Sequence, residues 1–330
     1  MGVIEQQHKF IITSHVNPDC DALGSELALA EHLGRLGKEV TILNSDPVPT
    51  FYRFLDPKRY IRKYSQAKHS RLIEQAEVIF VVDASGGWQR TGPVGQALAQ
   101  ARACKICIDH HPDAADFVDI ALIDIEAAAT AELIFELVLT MGGSISSLMA
   151  QALYAAIITD TGNFRFPKTS SRTHRITAEL LATGVDPMHI YRQIYEQYPL
   201  ARIRLKGHVM SLIQTAAAGQ IAYYSLDQAT LKKYGVKSSA LDGFASLGQE
   251  IGGVRVTIFC LETSKSKVKL SLRSDGSLPI NSIAAAYEGG GHPSAAGATI
   301  SGSLPEIMQA VLTKAKDLLE NSGSGEAGPG

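Results

Sequence analysis

The chain of 330 residues has few cysteines, one tryptophan and almost no net charge. Its four cysteines contain one C-x-x-C pair, Cys104 and Cys107, and no second pair follows to complete a four-ligand zinc site. Thirty-one basic side chains stand against 33 acidic ones, whereas binding to long duplex DNA normally requires a basic surplus. The composition therefore argues against a zinc or redox protein and against long duplex DNA as a ligand.

Long apolar runs are also missing. No window approaches the roughly 18 to 20 uninterrupted apolar residues of a membrane span. The first residues, MGVIEQQ, lack the basic and then apolar pattern of a secretion signal. We therefore expect no membrane association and a cytoplasmic location.

What the sequence does contain is an alternation of strand and helix patterns, with 45% hydrophobic residues. This alternation predicts an α/β fold with a doubly wound, mostly parallel sheet in the first part of the chain. Shorter strands after residue 220 predict a smaller mixed α/β domain, joined to the first by a helical connector. The predicted divisions are a catalytic domain at 1–187, the connector at 188–215, the second domain at 216–320 and a disordered tail at 321–330.

The most informative motif lies between a β-branched strand at residues 10–14 and an apolar helix at 22–36. His15, Asp19 and Asp21 fall on this strand-to-helix loop, where open α/β sheets bind ligands. One aspartate could simply cap the helix, but that explanation covers only one residue of the three. Histidine and aspartate together at this position suggest a divalent cation.

Further acids and imidazoles follow other apolar runs. Asp83 ends one predicted strand, Asp109-His110-His111 ends another, and Asp160 closes an apolar helix. Parallel strands deliver such side chains to one edge of a sheet. Carboxylates with a few imidazoles favour manganese or magnesium, and the number of potential ligands fits two ions better than one. In an extended segment the adjacent His110 and His111 should point in opposite directions.

The order His-x3-Asp-x-Asp, strand-Asp, Asp-His-His, Asp-Thr-Gly resembles the DHH phosphoesterase superfamily. Residues 289–297, GGGHPSAAG, resemble the signature of its DHHA1 companion domain. With one domain of each kind, the chain is similar to the nanoRNase and pAp-phosphatase group. The resemblance implies hydrolysis of oligoribonucleotides of a few nucleotides to mononucleotides, and of the 3'-phosphate of 3'-phosphoadenosine-5'-phosphate (pAp) to AMP. It implies two divalent cations, Mn²⁺ before Mg²⁺ or Co²⁺, and leaves a homodimer open.

The resemblance also implies roles for the residues. His15 and Asp19 would hold one ion, Asp21 the other, and Asp83 both, with the remaining ligands being His110 and Asp160. Asp109 would orient a histidine, and His111 would face the scissile phosphate, either as an acid or as an electrostatic stabiliser. Two such ions would supply a metal-bound hydroxide near neutral pH, so no protein nucleophile is required.

In the second domain, residues 268–274 alternate strictly and place Lys269, Ser271 and Arg273 on one strand face. By charge pattern alone this would be a solvated face. The resemblance makes Ser271 and Arg273 substrate-binding residues, together with Gly290, Gly291 and His292, where glycine lets backbone amides approach an anion.

A basic strip follows Asp160 and consists of Arg165, Lys168, Ser170, Arg172 and His174. It could bind phosphate or simply be solvated. Three other functions compete with the main hypothesis: an inorganic pyrophosphatase, a phosphodiesterase for cyclic or linear dinucleotides (pApA), and a nucleotide-binding regulator without catalysis.

Overall fold

The protein is represented by a computed structural model that describes residues 2–112 and 114–323. The chain divides into two compact units, the first ending at Gln197 and the second beginning at Tyr198. The division falls inside the segment that we predict as a helical connector, and the exact boundaries of the functional domains stay a prediction. No helix in the described ranges is long and apolar enough to cross a membrane.

The first unit contains one six-stranded sheet with the order β3-β2-β1-β4-β5-β6, and all of its strand pairs are parallel. Its strands are β1 Lys9–Thr13, β2 Glu39–Asn44, β3 Ile61–Lys63, β4 Val78–Val82, β5 Cys104–Asp109 and β6 Ile120–Ile123. Its helices are α1 Gly2–Gln6, α2 Cys20–Arg35, α3 Gln66–Gln75, α4 Pro93–Ala99, α5 Thr130–Thr140, α6 Ser147–Asp160, α7 Ser171–Ala182 and α8 Pro187–Tyr195. The predicted doubly wound α/β fold is confirmed.

Both faces of this sheet are covered, which explains the continuous apolar runs of its central strands. β4 is buried along its whole length. Its side chains alternate between two apolar clusters: Phe80 packs with α2, α5 and α6 on one face, and Ile79 and Val81 pack with α4 on the other.

The helices α2 and α6 pack closely because Gly24 lies at their contact. A Cβ atom at this position would lie 2.5 Å from the carbonyl oxygen of Ala152 in α6. This close approach brings the last residue of α6, Asp160, near the first turn of α2, which contains Asp21. The glycine therefore serves the geometry of the site as well as the core.

The second unit is built on a mixed sheet with the order β11-β12-β10-β9-β8-β7. Only β8 and β9 pair in parallel, and the other pairs are antiparallel. Its strands are β7 Gln214–Ala216, β8 Ile221–Leu226, β9 Val256–Ser264, β10 Lys267–Ser274, β11 Gly290–His292 and β12 Ala295–Ser301. Its helices are α9 Leu200–Ser211, α10 Gln228–Tyr234, α11 Asn281–Ala285 and α12 Leu304–Gly323. The predicted smaller mixed α/β domain is confirmed.

The predicted tail at 321–330 needs a correction at its start. α12 continues through Gly323. Its residue Leu319 is buried in the apolar cluster of the second unit and holds this end of the helix against the sheet. The rest of the predicted tail, residues 324–330, lies outside the described residues.

Candidate metal centre

The carboxyl ends of β1, β4 and β5 are neighbours in the sheet, and most of the predicted site residues follow these ends. We call the group the acid–imidazole cluster; it consists of His15, Asp19, Asp21, Asp83, Asp109, His110, His111 and Asp160. The structure brings all eight side chains together in three overlapping sets, each with ligand atoms within 4.8 Å of one another.

Asp83 lies at the centre of the cluster, and its two oxygens face different neighbours. Its Oδ2 is 3.5 Å from His15 Nε2, and that nitrogen is also 3.7 Å from Asp19 Oδ2. Its Oδ1 is 3.7 Å from His110 Nε2, which lies 3.8 Å from Asp21 Oδ2 and 3.3 Å from Asp160 Oδ2. One carboxylate thus lies between two sets of donors, which is the arrangement of a bridging ligand.

The backbone at Asp83 is in the left-handed region, with φ of 58°. Such a conformation costs about 1 to 3 kcal/mol in a non-glycine residue and persists where the surroundings enforce it. The main-chain N–H of Asp83 donates to Ile108 O at 3.0 Å, and the side chain is 2% exposed. This backbone conformation directs the buried Asp83 carboxylate toward the imidazoles of His15 and His110.

Asp19 fulfils both explanations that its position in the sequence allows. Its Oδ1 accepts a hydrogen bond from the backbone N–H of Ala22 at 3.1 Å and so caps α2. Its Oδ2 faces His15. The cap and the cluster use different oxygens, so neither role excludes the other.

The cluster is electrostatically unfavourable without a cation. Burial and the neighbouring carboxylates raise the pKa of Asp21, Asp83 and Asp160 above the usual range. Burial lowers the pKa of His110. Burial also opposes the charging of His15, but the nearby carboxylates of Asp19 and Asp83 raise its pKa to about 11. Crowded buried carboxylates, with the imidazole of His110 favoured in its neutral form, fit a hard divalent cation that compensates the charge.

The two adjacent histidines do not point in opposite directions, contrary to the expectation from an extended segment. Their ring centroids are 4.6 Å apart and the rings meet edge to face. Both residues follow the last residue of β5, Asp109, so the alternation of a regular strand does not apply to them. They differ in exposure instead: the His110 side chain is 8% exposed and that of His111 is 49% exposed.

The Asp109 carboxylate fixes the segment that contains His110 and His111 by hydrogen bonds. It accepts hydrogen bonds from the backbone N–H of Ser85, His110 and His111, and from His111 Nδ1 at 2.7 Å. Although burial opposes it, the hydrogen bonds from His111 and Ser85 lower the pKa of Asp109. The same bond to Asp109 raises the pKa of His111 to about 9. His110 is oriented separately, since its Nδ1 donates to Ala127 O at 3.1 Å and leaves Nε2 for the carboxylates.

The start of α5 contributes a residue that the sequence did not reveal. The backbone N–H groups of Thr130 and Ala131 donate to the two oxygens of Asp21 at 2.7 and 3.0 Å. The Thr130 hydroxyl donates to Asp83 Oδ1 at 3.0 Å. Thr130 therefore orients two carboxylates at once, although its only sequence signal is its place at the start of a helix.

In the second unit, strand register places four of the predicted binding residues on one face of the sheet. Arg273 and His292 both pair with Ala295 of β12, and Ser271 and Gly290 both pair with Gly297. Directly paired residues of antiparallel strands share a face. We call this group, Ser271, Arg273, Gly290 and His292, the glycine-strand face. The alanine and glycine between its members leave the surface shallow.

Gly291 is next to this face and requires glycine. Its φ is 131°, and a Cβ atom would lie 2.6 Å from Ala295 O.

Arg273 is partly buried, its Nη1 donates to Leu272 O at 2.8 Å, and burial lowers its pKa. The strands β11 and β12 were not apparent from the sequence, because their glycine and alanine content is typical of loops.

Two family models match the chain: the N-terminal domain of the DHH family over residues 9–157, and the DHHA1 domain over residues 218–321. The bifunctional oligoribonuclease and PAP phosphatase NrnA of Thermus thermophilus is 32% identical over 94% of this chain and 90% of that protein. The chain belongs to the DHH/DHHA1 family of phosphoesterases.

The chain is also similar to other proteins. The NrnA protein of Bacillus subtilis is 28% identical over 88% of each chain. The crystal structure of an exopolyphosphatase-related protein from Bacteroides fragilis is 32% identical, covers 97% of this chain and 96% of its own, and superimposes with a TM-score of 0.92. The RecJ protein of Thermus thermophilus in complex with Mn²⁺ shares the fold, with 13% identity, a TM-score of 0.53 and coverage of 94% and 52%. As a family member, the chain is a hydrolase of phosphoric esters.

Proposed function

We propose that this DHH/DHHA1 protein hydrolyses short oligoribonucleotides to mononucleotides and removes the 3'-phosphate of pAp. The names of the NrnA relatives, which match nearly the whole chain, support these substrates. The observation that carries the proposal is the position of Asp83, whose two oxygens face two separate sets of donors. Two such sets suit a pair of ions acting on one phosphate.

In this proposal, Mn²⁺ is the favoured ion, and Mg²⁺ or Co²⁺ are the alternatives. His15, Asp19 and Asp83 would hold one ion, and Asp83, Asp21, His110 and Asp160 would hold the other. Divalent ions bound there would neutralise phosphoryl charge and lower the pKa of water. The remaining steps fall to side chains of the protein.

His111 is the proton donor of the proposed site. Its Nδ1 is bound to Asp109, so Nε2 is the nitrogen left for a substrate. The ring is half exposed, and its hydrogen bond to Asp109 raises its pKa, which favours the protonated form. It can therefore donate to a phosphoryl oxygen or to the leaving oxygen.

We propose that the glycine-strand face of the second unit binds nucleotide. Arg273 supplies a guanidinium, which pairs well with phosphate, and Ser271 adds a hydroxyl. Gly290 and Gly291 expose backbone without a Cβ, and His292 adds a ring nitrogen. Short anionic substrates also suit a chain whose net charge is -2.

The experiment is a hydrolysis assay of chelator-stripped protein reloaded with Mn²⁺, Mg²⁺ or Co²⁺, using pAp, pApA, cyclic di-AMP and pyrophosphate. Release of AMP from pAp and pApA, abolished in Asp83→Asn and retained in the exposed Asp317→Asn control, would support the proposal. Cleavage of cyclic di-AMP or pyrophosphate alone would refute the substrate assignment. Tight nucleotide binding without turnover would favour the regulator.

A further inference from the structure

The segment 161–168 is attached to the acid–imidazole cluster at both ends. It starts directly after Asp160, and at its other end Lys168 Nζ donates to the carbonyl oxygen of His110 at 3.3 Å. Because both ends are fixed at the cluster and only seven residues separate Asp160 from Lys168, the residues between them lie beside it.

This segment has an unusual backbone. Gly162, Asn163 and Phe164 are consecutive left-handed residues, with φ of 55°, 59° and 66°. A bulky residue such as Phe164 rarely adopts this conformation, so the surroundings must enforce it. Its backbone N–H donates to the hydroxyl of Thr161, and its ring stacks on His174 at 5.1 Å. The segment is a strained loop held in one shape.

The strained loop presents Phe166 to solvent. The ring is 44% exposed, although the neighbouring Phe164 is partly buried in the core. Its distal edge rests on Gly162, where a Cβ atom would lie 2.6 Å from the ring carbons. The backbone N–H of Phe166 donates to Thr161 O at 3.0 Å. The exposed ring is therefore positioned by the loop and has no role in packing the core.

Arg165 accompanies this ring. Its guanidinium lies 5.4 Å from the ring centroid of Phe166, and no acid forms an ion pair with it within the described ranges. The other members of the basic strip are engaged. Arg172 is bound to Asp124 and Glu136, Ser170 caps α7, and His174 stacks on Phe164.

We propose that Phe166 and Arg165 form a stacking subsite for a nucleobase of the substrate, beside the acid–imidazole cluster. The inference rests on the proposed function and adds to it a means of choosing nucleotides over other phosphate esters. Bases stack on aromatic rings and on guanidinium planes, and such stacking tolerates any base because every base has a π-face. A phosphate ester without a base gains nothing from this subsite.

The test compares Phe166→Ala and Phe166→Tyr with wild type, using pAp and an abasic analogue, 1-deoxyribose 3,5-bisphosphate. The exposed Phe51, which is 38% exposed and lies on another surface segment, gives the control Phe51→Ala. We expect Phe166→Ala to raise KM for pAp about tenfold, the loss of one modest stacking contact, with little change in kcat. Phe166→Tyr should restore KM, and the abasic analogue should be unaffected.

Equal changes for pAp and the abasic analogue, or no change for either, would overturn the subsite. Binding of AMP to Ca²⁺-loaded protein, measured by calorimetry, separates this failure from failure of the proposed function. If wild type does not hydrolyse pAp, the proposed function fails, while an affinity for AMP that falls about tenfold in Phe166→Ala still supports the subsite. AMP affinity that is the same in wild type and Phe166→Ala, or undetectable in both, contradicts it.

Discussion

The acid–imidazole cluster of the first unit and the glycine-strand face of the second unit hold polar groups in opposite ways. In the cluster, Asp21 and Asp83 are at most 2% exposed; burial raises the pKa of both, and the charge of Asp83 raises the pKa of Asp21 further. On the glycine-strand face, Gly290 and His292 are exposed, and their positions follow from strand register alone. Crowded buried carboxylates make the cluster electrostatically unfavourable until a cation binds, whereas the face is a shallow, more exposed surface that we propose binds an anion.

This difference separates the expected effects of mutation. Changes in the cluster should alter metal binding, kcat and the stability of the metal-free protein together. Changes on the glycine-strand face should alter KM and leave the metal-free protein nearly unchanged.

The largest effect is expected from Asp83→Asn. Asparagine tolerates the left-handed backbone, so the substitution removes charge with little change in shape. We expect hydrolysis of pAp to fall on the order of a thousandfold or more. The melting temperature of chelator-treated protein should rise, because burial and neighbouring carboxylates disfavour this charge. A drop in both quantities would show that Asp83 is only structural.

A smaller loss is expected from Thr130→Val, which removes the hydroxyl bond to Asp83 but keeps the backbone bonds to Asp21. Groups that orient metal ligands typically contribute about 10- to 100-fold in affinity or activity. Titration with Mn²⁺ should show a loss of that size. Thr140→Val, at the exposed end of the same helix, is the matched control and should bind Mn²⁺ as wild type does.

On the glycine-strand face, Arg273→Gln should raise KM for pAp roughly 10- to 100-fold, since hydrogen bonds from a charged group contribute about 1.5 to 3 kcal/mol. Lys269→Gln, on the same side of β10 and more exposed, should have little effect. Steady-state kinetics measures both. An equal rise of KM in the two variants would show that this face acts only as a general basic surface.

The smallest effect is expected when the pH is changed and the melting temperature of the metal-free protein is measured. The pKa of His15 and of His111 is raised from 6.5 to about 11 and about 9 in the folded state. Folding therefore gains stability from protonation that is complete below pH 6.5 and is lost as the pH rises through these values. The melting temperature of chelated protein should fall between pH 6.5 and 9.5, and less steeply in His111→Asn. A flat wild-type profile would contradict these shifts.

The sequence was sufficient for the fold and for the list of cluster residues, because continuous β-branched strands ending in acids leave few ways to arrange a parallel sheet. It was insufficient where geometry depends on tertiary contacts. Thr130 touches Asp21 and Asp83 only because α5 starts above the sheet edge. The rings of His110 and His111 meet edge to face just beyond the end of β5, where strand alternation gives no guide to side-chain direction.

Strand periodicity likewise revealed β10 but not β11 and β12. The alternation of apolar residues marks β10, whose buried positions are Val268, Leu270, Leu272 and Ser274. Glycine-rich β11 has no such alternation, and all three of its residues are exposed. Its strand character comes from pairing with β12, which no local pattern encodes.

In the proposed two-metal site, Asp83 would be shared by two divalent ions. Counting Mn²⁺ bound per chain, by calorimetry of chelator-stripped wild type and Asp83→Asn, tests it most directly. We expect two ions in wild type and loss of high-affinity binding at both positions in the variant. One ion in wild type, or two ions bound equally tightly in Asp83→Asn, would contradict it.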